Sequence, residues 1–357
     1  MTVTQVSNKV SEKDIEEYRG QLLDWYDQHE RHVPWRIPAG ETSDPYRVWL
    51  SEIMCQQTTV QAVIPYYTKF LEIWPKVEDL ASAKQEEVMA QWAGLGYYAR
   101  ARNLHKCAQV VANDLNGEFP DTQEALKELP GIGDYTSAAI AAIAYGRETV
   151  VVDGNVERVI ARFYAVEEAL PKAKSTLKTL AAEFYEGLGN ECGHLAQAFM
   201  DLGANVCIPK APRCMLCPIA DGCTARKRGQ QTDFPVKAAK KARPQRFGKV
   251  YFIDNDNNEM LFHRREEKGL LGGMVGLPTT EWGAKDTLNT PNAIKSVKSL
   301  KLNVYHVFTH FDLELELCKG TLTEAEPPEG YFWADPYNEL ENLPTAFKKA
   351  LKSYLNA

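Results

Sequence analysis

Hydrophobic residues recur at helical spacing from about residue 12 to residue 228. Asp44 and Pro45 have the features of a helix start, because an acid favours the N-cap position and proline favours the first turn. TQEALKELPGIGDYTSAAIAAIAYG predicts a short helix, a glycine turn and a second, alanine-rich helix. In NVERVIARFYAV four apolar residues share one helix face, and these are Val156, Val159, Ile160 and Phe163.

Towards the C-terminus the hydrophobic pattern changes to period two, which is typical of strands. KVYFIDNDNNEMLFHRR places two apolar runs around an Asp/Asn turn and predicts a hairpin, while Phe311–Leu317 alternates as a half-buried strand does. TAFKKALKSYL predicts a closing amphipathic helix. Polar, cationic residues 229–245 predict a linker, so we expect a helical domain over 1–228 and a smaller α+β domain over 246–357.

Composition narrows the class of protein. The chain has 357 residues, 44% hydrophobic and 25% charged, with a formal net charge of −7. Its first residues are polar, and no run approaches the roughly 18 apolar residues of a membrane span. We therefore expect no membrane association and a cytoplasmic location, where thiols stay reduced.

The charge is unevenly distributed along the chain. Residues 207–250 hold eleven Lys and Arg against two Asp, a net charge of +9 that leaves −16 for the remainder. A concentrated basic segment on an acidic body fits a surface that binds a polyanion such as nucleic acid. A solvated linker is the alternative that this segment leaves open.

Four of the eight cysteines lie within seventeen residues, CIPKAPRCMLCPIADGC. These are Cys207, Cys214, Cys217 and Cys223, with the spacing C-x6-C-x2-C-x5-C. Four thiolates suit either zinc or an iron–sulfur cluster. Structural zinc more often uses two separated C-x2-C pairs, and here there is one close pair. A set of small buried side chains is the remaining alternative.

Two acids stand in unusual sequence settings. Glu52 interrupts the apolar stretch VWLSEIMCQQT, and Asp153 follows three valines where a helix begins. Singly, Glu52 could lie on an exposed helix edge and Asp153 could be only an N-cap. Together they fit cleavage of an N-glycosidic bond, in which one carboxyl protonates the leaving base and one carboxylate stabilises the cationic sugar. Apolar Ile53 and Met54 would raise the pKa of Glu52, and N–H donors would keep Asp153 ionised.

The LPGIG turn between two predicted helices is a candidate phosphate site. Gly131 and Gly133 allow backbone N–H groups to approach a phosphate closely, and the following helix adds the partial positive charge of its N-terminus. Such a contact positions DNA without reading its sequence. Alone, a G-x-G turn could equally be an ordinary helix–helix connection.

The cysteine spacing and the LPGIG turn together resemble the helix-hairpin-helix DNA glycosylases with a [4Fe–4S] loop. SEIMCQQT, LPGIGDYT and VVDGNV resemble, more specifically, the MutY family of adenine glycosylases, over essentially the whole chain. The resemblance implies an N-terminal all-α helix-hairpin-helix domain with a structural [4Fe–4S] loop and a C-terminal α+β MutT/Nudix-like domain. It implies a monomer, nucleoid-associated if bacterial, that acts on double-stranded DNA carrying A opposite 8-oxoguanine or G.

The resemblance also implies roles at the reaction centre. Glu52 is expected to protonate adenine at N7 and later to help activate water. Asp153 is expected to stabilise the sugar cation or capture it covalently, and Asn155 to help orient the sugar. Tyr135 stands where the related endonuclease III enzymes carry a lysine, which forms a Schiff base and nicks the strand. We therefore expect a monofunctional glycosylase.

Further residues match family positions that contact DNA. Gln57 and Tyr97 match intercalating positions, since a base must leave the stack before chemistry. Arg36 and Gln197 match positions near the extruded purine. The cysteine loop is expected to hold the cluster and to present cations to phosphates, and these cations are Lys210, Arg213, Arg226, Lys227 and Arg228.

LLGGMVGLP and YHVFTHFDLELEL resemble the MutT-like domain of the same family. MutT-type hydrolases bind metal through a glutamate-rich helix, and no such stretch follows Gly272-Gly273. The domain is therefore expected to bind rather than to hydrolyse. Phe308, Thr309 and His310 match the loop that reads 8-oxoguanine, with threonine where the family commonly has serine.

Three alternatives stay open at this point. An endonuclease III-like lyase acting on oxidised pyrimidines is disfavoured by Tyr135 and by the extra C-terminal domain. A non-catalytic iron–sulfur DNA-binding protein is disfavoured by the presence of both acids. A zinc-ribbon binding module has the least support.

Overall fold

The structure is a computed structural model of the chain. It divides into two compact units, Met1–Ala239 and Lys240–Ala357, which we call the helical unit and the sheet unit. Among the residues described, no helix is both long enough and apolar enough to cross a membrane. The described residues are 11–37, 43–239, 242–266 and 269–357.

Twelve α-helices are described in the helical unit. They are α1 Glu12–His29, α2 Pro45–Cys55, α3 Val60–Ile73, α4 Val77–Ser82, α5 Gln85–Trp92, α6 Ala99–Asp114, α7 Gln123–Lys127, α8 Asp134–Tyr145, α9 Gly154–Tyr164, α10 Lys174–Tyr185, α11 Cys192–Asp201 and α12 Thr224–Lys227. A π-helical turn, Leu202–Val206, continues α11. The predicted helix start at Asp44 is confirmed, since its carboxylate caps α2 by accepting from the Tyr46 N–H at 2.9 Å.

The helical unit has two hydrophobic clusters, and α8 contributes to both. Its Ala138, Ala139 and Ala142 pack with α1 and α9 to α11, whereas Ile140 and Ala141 pack with α2 to α6. Small side chains are needed on both faces because neighbouring helices approach closely from either side. The alanine-rich sequence of α8 thus marks a central helix between two lobes.

The segment that follows α12 belongs to the helical unit. Phe234 is buried in the first cluster, and the Leu170 N–H donates to the carbonyl of Val236 at 2.8 Å. The unit boundary therefore falls after Ala239, inside the stretch 229–245 that its composition assigned to a linker. The buried ring of Phe234 and this backbone hydrogen bond thus attach the cationic segment to the core of the helical unit.

The sheet unit contains two three-stranded sheets, with strand orders β1-β5-β4 and β3-β2-β6. Its elements are β1 Gln245–Phe252, β2 Met260–Arg264, β3 Val275–Gly276, β4 Ile294–Val307, β5 Asp312–Leu322, β6 Tyr331–Ala334, α13 Pro336–Glu339 and α14 Thr345–Leu355. Phe347 and Leu351 of α14 pack on the apolar cluster formed by both sheets. The predicted combination of an all-α domain and an α+β domain is confirmed.

The predicted hairpin around Asn255–Glu259 is only partly formed. The turn is present, but antiparallel contact among the described residues is limited to a bridge between Asp254 and Met260 and two adjoining backbone hydrogen bonds, from the Asn255 N–H to the Glu259 carbonyl and from the Leu261 N–H to the Ile253 carbonyl. Beyond it β1 pairs in parallel with β5, whereas β2 pairs with β3 and β6. Both runs are buried, and pairing with different partners buries them in two sheets.

Candidate active site

Three helices bring Glu52, Tyr135 and Asp153 into one electrostatic neighbourhood between the two lobes. Glu52 lies on α2, Tyr135 is in the first turn of α8, and Asp153 is the N-cap of α9. The Tyr135 hydroxyl donates to Oε2 of Glu52 at 2.7 Å. All three residues are half-buried, so the group is sheltered and yet accessible.

Burial raises the pKa of Glu52 to about 7. The charge of Asp153 also contributes to this rise, whereas the hydrogen bond from Tyr135 and the charge of Arg36 oppose it. The value of about 7 includes all these contributions. Removing a carboxylate from water disfavours its charged form, which is the dominant effect here. Glu52 therefore exchanges a proton near neutral pH, as the apolar neighbours of this residue predicted.

Asp153 is held by three hydrogen bonds. Its Oδ1 accepts from the backbone N–H groups of Asn155 and Val156, each at 2.8 Å, and its Oδ2 accepts from Nδ2 of Asn155 at 2.7 Å. The expected donors are thus present, but burial outweighs them and the net pKa of Asp153 is raised. The N–H donors that were expected to keep Asp153 ionised thus lower its pKa as expected, but burial sets the net direction of the shift.

Asn155 connects this acid to the cysteine loop through Arg158. Nη2 of Arg158 donates to Oδ1 of Asn155 at 2.8 Å, and its Nε donates to the carbonyl of Cys207 at 2.7 Å. Gly203 permits the approach, because a Cβ there would lie 2.5 Å from Cβ of Asn155. The start of α9 and the loop are thus packed as one body.

Arg36 and Gln197 meet around Tyr26. The Tyr26 hydroxyl donates to Oε1 of Gln197 at 3.0 Å, and the Arg36 guanidinium lies 5.5 Å from the centre of the Tyr26 ring. Fully buried Asp201 accepts from both terminal nitrogens of Arg36, at 2.5 and 2.6 Å, and also from Arg31. Arg36 is therefore a fixed cation beside the acids.

Gln57 and Tyr97 project from two exposed turns. Both have left-handed backbone conformations, with φ values of +58° and +50°, which are uncommon for residues other than glycine. Tyr97 is 53% exposed although it is aromatic. An exposed aromatic ring on a strained turn is available to insert into a base stack.

The LPGIG turn has the geometry of an anion site. Gly131 has φ +79° and packs against Asn103, so the turn itself requires glycine. A Cβ built at Gly133 meets no described atom within 4 Å, which leaves space beside the N-terminus of α8. In the described part of the chain no side chain caps that terminus, so its N–H groups remain available to an anion.

The four clustered thiols belong to one half-buried loop. Burial raises the pKa values of Cys207, Cys217 and Cys223, and the charges of the other thiols contribute to each shift. Nη1 of Arg162 donates to the sulfur of Cys207 at 3.3 Å. Within the described residues no three His, Cys, Asp or Glu side chains stand at metal-ligand spacing. The donor set, four soft thiols in mutual electrostatic contact, nonetheless fits an iron–sulfur cluster in its chemistry.

The outer side of this loop is basic. Lys210, Arg213, Lys227 and Arg228 are exposed, and Arg226 pairs with Asp221 at 3.0 Å. Five cations on one short loop provide a field that attracts a polyanion.

In the sheet unit, Phe308, Thr309 and His310 form the turn between β4 and β5. Phe308 is half-buried against Trp282 and Phe311, with ring centres 5.7 and 4.8 Å away, whereas Thr309 and His310 are exposed. The turn is closed by a hydrogen bond from the Phe308 N–H to the Phe311 carbonyl at 2.9 Å. The described residues between β3 and β4 contain only one short helical turn, Lys285–Thr287, and no glutamate-rich helix.

Sequence reasoning missed Asp201, Arg158 and Gly203. Asp201 had a visible signal, since it is a lone acid in the apolar stretch HLAQAFMDLG. Arg158 had a weaker one, being the cation three residues after Asn155 and thus on the same side of the helix. Gly203 had none, because close helix approach at a glycine depends on the tertiary structure.

Comparison with known proteins agrees with this geometry. Residues 50–185 match the HhH-GPD superfamily of base excision DNA repair proteins, and residues 249–353 match a NUDIX domain. The helical unit resembles a thermostable thymine-DNA glycosylase, with a TM-score of 0.52 and 29% identity over 60% of this chain and 98% of that one. It also shares its fold with endonuclease III in a non-covalent DNA complex, with a TM-score of 0.50 and 20% identity over 62% of this chain and 100% of that one.

Relatives that match most of the chain define the class of protein more narrowly. The human adenine DNA glycosylase is 32% identical over 96% of this chain and 74% of its own length. The adenine DNA glycosylase of Buchnera aphidicola subsp. Acyrthosiphon pisum is 33% identical over 82% of this chain and 83% of its own length. Fold and site thus define a helix-hairpin-helix protein of base excision DNA repair. Within that class, the chain belongs to the adenine DNA glycosylase family.

Replacing Tyr135 by phenylalanine tests the electrostatics of Glu52. We expect Tyr135→Phe to raise the pKa of Glu52 above about 7. The hydrogen bond from the Tyr135 hydroxyl stabilises the carboxylate form, and the variant lacks it. Isotope-edited infrared or NMR titration of Glu52 would measure the shift. Tyr164→Phe is the matched control, since its hydroxyl donates to Glu183 at 2.6 Å elsewhere in the unit. A lowered pKa in Tyr135→Phe would contradict the assignment.

Proposed function

We propose that this chain removes adenine mispaired with 8-oxoguanine or guanine from duplex DNA, by hydrolysis and without cutting the strand. The observation that carries the proposal is the pairing of Glu52, which titrates near neutral pH, with an N-capping Asp153 in the same neighbourhood. Membership of the adenine DNA glycosylase family supports adenine as the base that is removed, and the two acids can catalyse its release.

In the first step Glu52 acts as a general acid. Because its pKa is about 7, the Glu52 side chain is neutral in a large fraction of the molecules at physiological pH. It donates its proton to N7 of adenine while the bond to the sugar C1′ breaks, and the bonding electrons leave with the base. Adenine would otherwise depart as an anion, which is a poor leaving group.

The sugar left behind carries positive charge, and Asp153 stabilises it or captures it covalently. Its two oxygens are oriented by Asn155 and by the N–H groups at the start of α9, so little reorganisation is needed as charge develops. Water then adds to C1′, and its proton passes to the carboxylate of Glu52. Each catalytic cycle thus returns Glu52 to its neutral form.

Tyr135 makes the enzyme monofunctional. A lysine at this position would attack C1′ and form a Schiff base, from which strand cleavage follows. A tyrosine hydroxyl cannot form that intermediate, and here it is engaged with Glu52. Hydrolysis at an intact backbone is the outcome that remains.

Residues on the surface hold and open the duplex. The N–H groups at the start of α8, directly after the LPGIG turn, and the cations of the cysteine loop bind phosphates. Gln57 and Tyr97 enter the stack that the adenine vacates, and Arg36 and Gln197 contact the extruded purine. Unstacking costs a few kcal/mol, which these contacts offset.

Cys207, Cys214, Cys217 and Cys223 would hold a [4Fe–4S] cluster. When bound, such a cluster crosslinks four thiolates and thereby fixes the fold of the loop that presents Lys210 and Arg213. Iron and acid-labile sulfide analysis, together with visible absorbance, tests this assignment. We expect iron and sulfide in equal amounts, and zinc without iron would contradict it.

In the sheet unit, the turn Phe308–His310 recognises 8-oxoguanine. Phe308 anchors it through aromatic packing, while the exposed hydroxyl of Thr309 and imidazole of His310 are free to meet a base edge. The unit acts by binding, because it lacks a glutamate-rich metal helix among its described residues. The chain works as a monomer on double-stranded DNA.

Base release by Glu52→Gln is the decisive experiment. We expect the single-turnover rate of adenine release from A opposite 8-oxoguanine to fall at least about 100-fold, since the amide has no proton to donate. Binding of the mismatched duplex should stay within about 3-fold, because a neutral glutamate and a glutamine have similar polarity and shape. Rates with A opposite G and A opposite C complete the substrate series.

Glu72→Gln, an exposed substitution on α3, is the matched control and should leave both quantities unchanged. Full excision by Glu52→Gln would overturn the assigned chemistry. A substantial product trapped by borohydride would instead favour the lyase alternative.

Substitution in the Phe308–His310 turn tests recognition of the opposite base. We expect Thr309→Ala and His310→Ala each to reduce the preference for A opposite 8-oxoguanine over A opposite G by about 5-fold, the worth of one hydrogen bond near 1 kcal/mol. Excision rates on the two duplexes measure the ratio. Thr309→Ser keeps the hydroxyl and should retain the preference, and an unchanged ratio in both alanine variants would refute the assignment.

A further inference from the structure

Arg100, in the first turn of α6, closes the C-terminal end of α2. Its Nη1 donates to the carbonyls of Ile53 at 2.9 Å and Met54 at 3.1 Å. These carbonyls lie in the last turn of a helix, where they have no intrahelical partner. A cation at this end is also favoured by the helix dipole. Glu52 immediately precedes these two residues, so Arg100 is attached to the turn that carries it.

The second terminal nitrogen of Arg100 reaches two other segments. Nη2 donates to the carbonyls of Leu95 at 3.2 Å and Gly96 at 3.3 Å, immediately before Tyr97. It also donates to Oγ1 of Thr58 at 3.2 Å, immediately after Gln57. One guanidinium therefore joins the helix of Glu52 to both exposed turns.

Aromatic contacts reinforce this three-way junction. The guanidinium carbon lies 5.2 Å from the ring centre of Trp92 and 5.6 Å from that of Tyr97, both within cation–π range. The Trp92 indole N–H donates to the same Gly96 carbonyl at 3.0 Å. Buried Trp92 thus fixes Arg100 from below, and exposed Tyr97 lies over it from the solvent side.

The two turns need external support. Left-handed conformations at Gln57 and Tyr97 are energetically unfavourable for residues with a Cβ. They persist when the surrounding structure supplies compensating contacts. Arg100 donates to the residues that flank both strained positions, and therefore supplies such contacts to both.

We propose that Arg100 is a positioning residue that fixes Gln57 and Tyr97 relative to Glu52, so that a base displaced by the two turns arrives at the acid. The proposal rests on the proposed function and deepens it. Gln57 and Tyr97 can hold a base out of the stack only if the turns that carry them keep their position. A lysine cannot replace Arg100, because a single ammonium lacks the planar fork that serves several acceptors at once.

Flanking base pairs provide a test that a general loss of stability would not mimic. With the target adenine between A·T pairs, we expect Arg100→Lys to slow single-turnover excision about 10-fold. Between G·C pairs, where opening is harder, the loss should reach about 50-fold. Arg19→Lys is the matched control, since Arg19 donates to the Phe184 and Glu186 carbonyls away from the site, and in each context it should excise adenine at the rate of the unaltered protein.

A double-variant cycle with Tyr97→Ala supplies the second readout. If Arg100 acts through this turn, the double variant should be slower than Tyr97→Ala by much less than 10-fold, since residues in one network are not additive. Equal losses in both flanking contexts, or full additivity, would overturn the proposal. If Arg100→Lys does not fold, Thr58→Val removes one acceptor of Arg100, together with the hydroxyl's own hydrogen bond to the Gln56 carbonyl, and should show the same flank dependence at about 3-fold.

Failure of the two ideas is distinguishable. A wild-type protein that releases no adenine would overturn the proposed function and this inference together. A wild-type protein that excises adenine, with Arg100→Lys slowed equally in all contexts, would overturn the role of Arg100 alone.

Discussion

The close packing of α8 between two lobes is the constraint on which the site depends. Its alanines allow neighbouring helices to approach from both faces, and a Cβ at Gly193 of α11 would lie 2.6 Å from the Ala142 carbonyl. The first turn of α8 carries both Tyr135 and the open N-terminus that follows LPGIG. One buried helix therefore fixes the spacing between the proposed phosphate contact and the hydrogen bond to Glu52. Larger side chains along it would separate the lobes and the two acids with them.

Much of the fold followed from local patterns, because those patterns reflect local physics. The capping of α2 by Asp44 and of α9 by Asp153 involves residues two and three positions apart, and the alternation at Phe311–Leu317 needs only one buried face. The parallel pairing of β1 with β5 was not predicted. Strand partners 67 residues apart are chosen by tertiary burial, and the Asn255 turn could not reveal that choice.

The candidate site divides in a similar way. Glu52, Tyr135 and Asp153 could be named from sequence since each stands inside a recognisable motif. Asp201, Arg158 and Arg100 were not named, because their importance lies in contacts with segments 40 or more residues away. The N–H donors to Asp153 were predicted, and their effect on its pKa has the predicted sign. The larger effect of burial was not predicted, because it depends on depth, which only the folded chain determines.

The buried carboxyl of Glu52 has a consequence for the stability of the folded chain. Its pKa is near 7 in the folded protein against 4.5 ordinarily, so the unfolded chain releases this proton at lower pH than the folded one. Stability from this group is therefore fully present below about pH 4.5, declines as pH rises from about 4.5 to 7, and is lost above that range. The loss is on the order of 3 kcal/mol, since each pKa unit corresponds to about 1.4 kcal/mol. Neutral and alkaline conditions thus remove a stabilising contribution that comes from the same carboxyl whose neutral form the proposed chemistry uses.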